Sequence, residues 1–570
     1  MNLKSLFGCL VAALLTTYSS PAAAVSSDVT PADAAYPWRG CMIDVSRHFF
    51  SVDFLKRQVD VLQRYGLNRL HLHLVDAGGW RMEIKAYPEL TSKAAFRTES
   101  DWDKWWGGGD RTYLPEGTPG AYGGYYTQAE LRDLVSYAAA RGITVVPEIE
   151  MPGHSEEVME TYPQLKCEGN TGAQGDFCPA NAETYTFLEK VLTEVMEVFP
   201  SEYIHLGGDE AGMTSWHKCA RCQAMLKELG TTEPAELQAS LMRRMGRFLQ
   251  QHGRRMIAWD EAITDGLPAG TAIMVWRDAA HAKKAIAKGC DVIMSPSSHC
   301  YLDYYQDAPT FEPRAIGGFL PLERVYSFNP REDMTPEEQK HVIGVQGNMW
   351  TEYIPTEEHA EHMLYPRIYA LSRIGLLGPQ RPAYDAFKKE ALREVKQLQK
   401  NGYHPFDLKK EHGVRPEAQK AVAHKAVGAK VTYNRRYSRY YPAGGDAALV
   451  NGQCGGWTHG DGTWQGFCSD TCLDVTLDLG ALTKIKSIQM DFLHCSGAWI
   501  YLPTSLTYSI STDGKSFQPL FKGGDPRTVN EGTQFKKYLW KGKAQARYIR
   551  VQGVAPKEGE WIFTDEIIVK

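Results

Sequence analysis

LRDLVSYAAARGITVVPEIE, residues 131–150, decides the fold. Its first half spaces apolar side chains three and four apart, as on one face of a helix, and runs out at Gly142, a residue suited to closing helices. Its second half is a short β-branched run that ends on acidic side chains. Helix, glycine and buried strand in that order make one unit of an alternating chain, and such chains build parallel sheets. The unit recurs in residues 54–76 (FLKRQVDVLQRYG then LNRLHLHLVD), in 237–262 and in 282–298. Counting every apolar run between Arg39 and Trp350 gives eight, at 40–47, 67–76, 142–150, 202–210, 254–262, 272–278, 290–298 and 342–350. Eight units in about 310 residues predict a (β/α)8 TIM barrel with enlarged loops, an α/β fold, over residues 37–400.

The texture then changes. A basic, proline-containing connection is expected over 401–425, and the remaining 145 residues carry short alternating runs punctuated by turn residues. That pattern predicts an all-β sandwich over 426–570. At the other end, residues 1–24 read as a secretory signal: Lys4, an apolar stretch from Leu6 to Leu15, and a small-residue cleavage site at Ala22–Ala24. No segment reaches the roughly 18 consecutive apolar residues of a spanning helix. An exported chain (periplasmic, cell-surface or extracellular) without a transmembrane segment is expected. A net charge of -5 gives no reason to expect nucleic acid as a partner, and 14 Trp with 29 Tyr suit a protein that stacks on sugars.

Export permits disulfides. Cys167 and Cys178 flank a glycine-rich loop and form the most plausible local bridge. Cys219 and Cys222 make a CxxC, with neither a second CxxC nor a nearby His pair to complete a zinc site. Cys454, Cys468, Cys472 and Cys495 can pair among themselves.

In a TIM barrel the chemistry sits at the C-terminal ends of the strands. Here those ends read Arg47, Asp76, Glu150, Asp209-Glu210, Trp259, Trp276 and Trp350. HLGGDE (205–210) stands out, because neighbouring carboxylates repel and folding alone gives no reason to keep both. Glycoside hydrolysis needs a proton donor for the leaving oxygen and a second group to stabilise the cationic anomeric carbon. An isolated acidic dipeptide is usually an exposed loop, but the two preceding glycines, the strand-end position and Trp216 downstream favour a pair that answers that need.

HLGGDE, DVSRHFF (44–50) and PEIEMPGH (147–154) together resemble glycoside hydrolase family 20, the β-N-acetylhexosaminidases, over residues 37 to 375. The resemblance implies an exo-acting retaining enzyme, with neither cofactor nor metal, that removes terminal β-linked GlcNAc or GalNAc from glycans. The 2-acetamido oxygen of the substrate itself would attack the anomeric carbon and form an oxazoline-type intermediate. Asp209 would orient the acetamido N–H, Glu210 would act as acid and then base, Tyr301 would align the acetamido oxygen, and His154 would tune Glu210. Arg47, Asp303 and Glu352 match ligands of the sugar hydroxyls. Trp259, Trp276 and Trp350 match indole walls, and Glu150 would support His154 from behind. Asp76 also belongs to this set, but Ala77 follows it where the family commonly has a second acid, which leaves the tuning of Glu210 through the His154 network open. The C-terminal part resembles the discoidin, or coagulation-factor type C, domain in TLDLG, SLTYSISTDGKSFQPL, ARYIRV and FTDEIIV, implying a glycan-binding module or an inert stabilising domain. Two alternatives compete: a member of the family that releases a disaccharide such as lacto-N-biose, and a catalytically silent glycan-binding protein.

Overall fold

The computed structural model describes residues 33–108, 111–168, 175–468, 472–529 and 532–570. The expected export signal lies outside them. Among the described residues, parallel strands close into an eight-stranded barrel in chain order: β1 (Trp38–Asp44), β2 (Arg69–His73), β3 (Thr144–Glu148), β4 (Tyr203–His205), β5 (Arg255–Trp259), β6 (Ala272–Val275), β7 (Asp291–Met294) and β8 (Val342–Met349). The closing pair is β1 with β8, in register from Trp38 opposite Gly344 to Ile43 opposite Met349. A Cβ on Gly344 would stand 2.3 Å from the Cβ of Trp38, so only glycine lets the barrel close there. The predicted TIM barrel is therefore the observed one.

Helices form where the spacing predicts. Helix α1 (Val52–Arg64) buries Phe54, Leu55, Val59 and Leu62, and starts at Ser51, whose hydroxyl accepts the Phe54 N–H at 3.0 Å. It stops at Gly66, whose φ of 73° is the left-handed conformation that ends a helix. Helix α2 (Gln128–Ala139) opens on a reciprocal Thr127–Glu130 capping box. The strands are shorter than the apolar runs that announced them. Strand β4 keeps three residues, because Gly207 and Gly208 turn to positive φ and lift the chain off the sheet.

The C-terminal domain is an eight-stranded antiparallel sheet among the described residues, with its own core of Val475, Leu477, Ile488, Tyr508 and Ile549. Its long strands Leu473–His494 and Gln534–Val554 pair along most of their length, and breaks in register let them bend around that core. The connection between the domains is packed against both. Asp307 of the barrel accepts the His412 and Gly413 N–H groups, and Arg415 pairs with Asp491 of the sheet at 3.0 Å. No helix among the described residues is long and apolar enough to cross a membrane.

One expectation fails. Cys167 and Cys178 form no bridge of their own, because the fold brings Cys219 and Cys222 into the same cluster. Residues 41 and more apart in sequence meet there, which local spacing cannot reveal.

The barrel interior is polar at the C-terminal ends of its strands. Glu148, at the end of β3, is fully buried; one oxygen takes the Trp259 indole N–H at 2.8 Å, and the other stands 2.5 Å from His73 Nδ1 and 3.2 Å from His71 Nε2. His73 also meets Asp76 through Nε2 at 3.0 Å. Two carboxylates, one at each ring nitrogen, call for the imidazolium, which has two N–H donors. Burial opposes that charge, but Glu148 and Asp76 overcome it and hold His73 up at about 10. His73 thus keeps its proton when folded and loses it near 6.5 when unfolded, so its contribution is complete below about 6.5 and disappears as pH rises toward 10. In thermal melts across that window, wild type should lose its advantage over His73→Gln by on the order of 1.4 kcal/mol per pH unit. A difference independent of pH would show that His73 is neutral.

Candidate active site

The acidic pair is built by the turn that ends β4. A Cβ on Gly207 would fall 1.8 Å from a Glu150 carboxylate oxygen, so glycine is required for Glu150 to pack under the turn. The next residues then diverge. Asp209 turns inward with a side chain 13% exposed, while Glu210, at φ 45°, points into the open mouth with 61% exposed. The left-handed backbone at Glu210 is costly for a non-glycine residue and is held by its N–H bond to Glu261 at 2.9 Å. Adjacency in sequence therefore does not mean equal surroundings.

His154 faces both acids. Its Nε2 stands 3.6 Å from Asp209 Oδ2 and 3.6 Å from Glu210 Oε2, and its Nδ1 meets Asp76 Oδ2 at 3.3 Å. The same Asp76 oxygen pairs with Arg47 at 2.7 Å and with His73 at 3.0 Å. Ala77, where a second acid was expected, packs in an apolar cluster with Trp105 and Tyr113. Its absence does not isolate His154, because Asp76 reaches the imidazole directly.

The charges follow from this geometry. Burial would raise Asp76, but Arg47 and His154 hold it far below the usual carboxylate range. Burial would lower His154, but Asp76 and Asp209 hold it well above 6.5, as an imidazolium. Burial lifts Asp209 to about 7 against the pull of His154. Glu210 goes the other way: the His154 imidazolium 3.6 Å from it keeps it below its ordinary value. Glu150 is buried, has no hydrogen-bond partner for either oxygen among the described residues (His73 Nδ1 stands 3.9 Å from one of them), and is pushed well above its usual range by burial and by Asp209. It sits beneath the pair as a neutral acid.

The remaining candidates surround a cavity of roughly 250 Å³ that opens beside the pair. Trp276, Tyr301 and Trp350 form an aromatic wall, with ring centroids 6.4 and 6.2 Å apart, and Arg47 stacks over Trp350 at 5.1 Å. Asp303 and Glu352 close the far side, both raised by burial, with Arg47 3.9 Å from Glu352. Trp259 lies a layer lower; it is 1% exposed, spends its N–H on Glu148, and backs Trp350 instead of lining the cavity. Buried Arg47 Nε, Asp209 Oδ1, Trp276 Nε1, Asp303 Oδ1 and Glu352 Oε2 have no protein partner among the described residues. Buried polar atoms are normally paired, so donors and acceptors left over around one cavity mark the site of a polar ligand.

Glu148 and Asp44 are among the site residues that were not singled out from sequence. Glu148 precedes Glu150 by two positions and so shares its strand face, a period-2 signal that was legible. Asp44, in the DVSR run, binds the Ser46 and Arg47 N–H groups and the Arg47 guanidinium, and so sets that arginine's direction.

Comparison with known proteins agrees with this geometry. The model of the glycosyl hydrolase family 20 catalytic domain matches residues 36–375, and that of the F5/8 type C domain matches 430–567. A beta-hexosaminidase of Porphyromonas gingivalis is 39% identical over 352 residues, covering 60% of this chain and 43% of that protein. One from Akkermansia muciniphila is 33% identical, covering 60% and 68%. The crystal structure of a GH20 exo beta-N-acetylglucosaminidase from Vibrio harveyi in complex with N-acetylglucosamine superposes with a TM-score of 0.59 at 32% identity, covering 66% of this chain and 60% of that one. The chain thus spans less than half the length of its Porphyromonas relative. With a closed barrel, a carboxylate pair at the end of its fourth strand and a family match over most of that barrel, the chain belongs to glycosyl hydrolase family 20.

Proposed function

We propose that this protein is an exo-acting, retaining β-N-acetylhexosaminidase that removes terminal β-linked GlcNAc or GalNAc from glycans with the help of the substrate's own acetamido group. The observation that carries the reading is the unlike pair: an inward Asp209 and an outward Glu210, sharing the His154 imidazolium beside a cavity rimmed by unpaired polar atoms. Asp209 accepts the acetamido N–H and turns the acetamido oxygen toward the anomeric carbon, while Tyr301 and the indoles hold that group out of water. Glu210 donates its proton to the departing glycosidic oxygen as the acetamido oxygen forms its bond to carbon. It then removes a proton from the water that opens the oxazoline-type intermediate. Glu210 is exposed and low in the free site; a sugar seated over it displaces water and raises it, which is the change a general acid needs. The reaction draws no nucleophile from the chain.

Asp303, Glu352 and Arg47 close the end of the cavity that would hold the non-reducing sugar hydroxyls, which supports removal of one residue at a time over release of a disaccharide. The intact acid pair speaks against a silent glycan-binding protein. Chromogenic β-GlcNAc, β-GalNAc and lacto-N-biose substrates separate these readings, and failure to turn over any of them would end the enzymatic one. Away from the pair, a groove leads past Tyr353 and Ile316 to the exposed Trp499 of the C-terminal domain, a path for the rest of the glycan. Export, expected from residues 1–24, completes the proposal.

Glu210→Gln should lower kcat/KM on natural glycans by about 10²–10⁴-fold, the usual worth of a general acid, and spare activated aryl glycosides. Asp209→Asn should cost about 10²–10³-fold on both substrate types, since it acts on the attacking group. Equal losses on both substrates for Glu210→Gln would remove it from the acid role. Glu352→Gln weakens a charged hydrogen bond to the sugar and should raise KM roughly tenfold with a smaller change in kcat. Trp499→Ala should raise KM for oligosaccharides alone, leaving aryl glycosides unaffected.

A further inference from the structure

Cys167, Cys178, Cys219 and Cys222 are all buried and converge in one small cluster with Trp216 and Leu237. All four sulfurs lie within 4.8 Å of one another. Cys222 Sγ is 3.6 Å from Cys167 Sγ and 3.7 Å from Cys178 Sγ, and Cys178 Sγ is 3.9 Å from Cys219 Sγ. A disulfide would bring two sulfurs to about 2.05 Å and leave the other pair apart. Here no pair is singled out. Four thiolates about 2.3 Å from a central zinc ion stand about 3.8 Å from one another along the edges of the tetrahedron, and the three spacings of 3.6, 3.7 and 3.9 Å bracket that value.

We infer that these four cysteines bind one Zn²⁺ as a structural site. Each thiol gives up its proton as its sulfur takes the metal, and four protein ligands fill the tetrahedron, so no position stays open for water or substrate. Arg221 stands beside Cys219 and Cys178, where its charge offsets the excess negative charge of four thiolates around a divalent ion.

The position of the cluster says what it does. Asp176, two residues before Cys178, accepts the Gly212 N–H at 3.1 Å and the Met213 N–H at 2.7 Å, and Phe177 C=O accepts the Trp216 indole N–H at 3.0 Å. Gly212 follows Glu210 by two residues. Zinc at the four sulfurs joins the segment that contributes Asp176 to the segment that leaves the acid pair, and so fixes the outward turn of Glu210. It acts as a positioning site and takes no part in bond breaking.

The test uses the full-length protein produced with zinc supplied. Elemental analysis should find about one zinc per chain, and zinc-edge absorption should show four sulfurs at about 2.3 Å. The four thiols should resist alkylation until a mercurial releases the metal. Cys222→Ser should lose the zinc, lower the melting temperature, and reduce kcat at least tenfold with little change in KM. Where Cys222→Ser does not fold, the metal content and sulfur shell of the wild type decide. Folded metal-free protein carrying two disulfides among these cysteines, or four freely alkylated thiols, would overturn the inference. Metal content does not depend on hydrolysis, so failure here is distinct from failure of the proposed activity.

Discussion

The active end of the barrel is arranged around the ionised carboxylate of Asp76, buried between Arg47, His73 and His154. Taking a carboxylate out of water costs several kcal/mol, and only well-aligned cationic donors repay it. Each of those donors is held in turn by something else. Arg47 is steered by Asp44, His73 is backed by Glu148, and His154 faces the acid pair. Removing Asp76 would leave several buried cations without their shared partner, so the site stands or falls as one network.

This network explains how two neighbouring acids differ. His154 Nε2 lies equally far from Asp209 and Glu210, so the imidazolium alone cannot distinguish them. Solvent does. Asp209 is turned into a pocket where burial outweighs the attraction of His154, and Glu210 is turned toward water, where the attraction prevails. The backbone sets those directions through Gly207, which makes room for Glu150, and through the left-handed turn at Glu210. A chain strained at a non-glycine residue needs support, and the bonds from Glu261 and Asp176 to this segment supply it.

The cysteine cluster and the packed connection to the C-terminal sheet extend the same logic outward. Barrel loops carry the chemistry but have few ladder bonds of their own. Here the loop after β4 is tied down by a side chain from a different loop, and across the mouth Arg314 and Asp103 pair two further barrel loops beside the groove that Trp499 of the second domain also lines. Rigidity at the mouth is drawn from contacts between segments, since the strands beneath supply none there.

The sequence alone determined the architecture, because periodicity, helix-ending glycines and strand-end acids are local patterns set by backbone geometry. It also determined which residues gather at the mouth: eight strand ends in a closed parallel barrel must share one rim, so Arg47, His154, Asp209, Glu210, Trp350 and Glu352 had to be neighbours. What it could not decide was how they divide their work. Whether Asp76 or a missing neighbour serves His154, that Trp259 lies below the cavity instead of beside it, and that four scattered cysteines converge all depend on distances between segments far apart in the chain. Burial and pairing act through space, and only the tertiary structure decides which groups are close enough to repay the cost of leaving water.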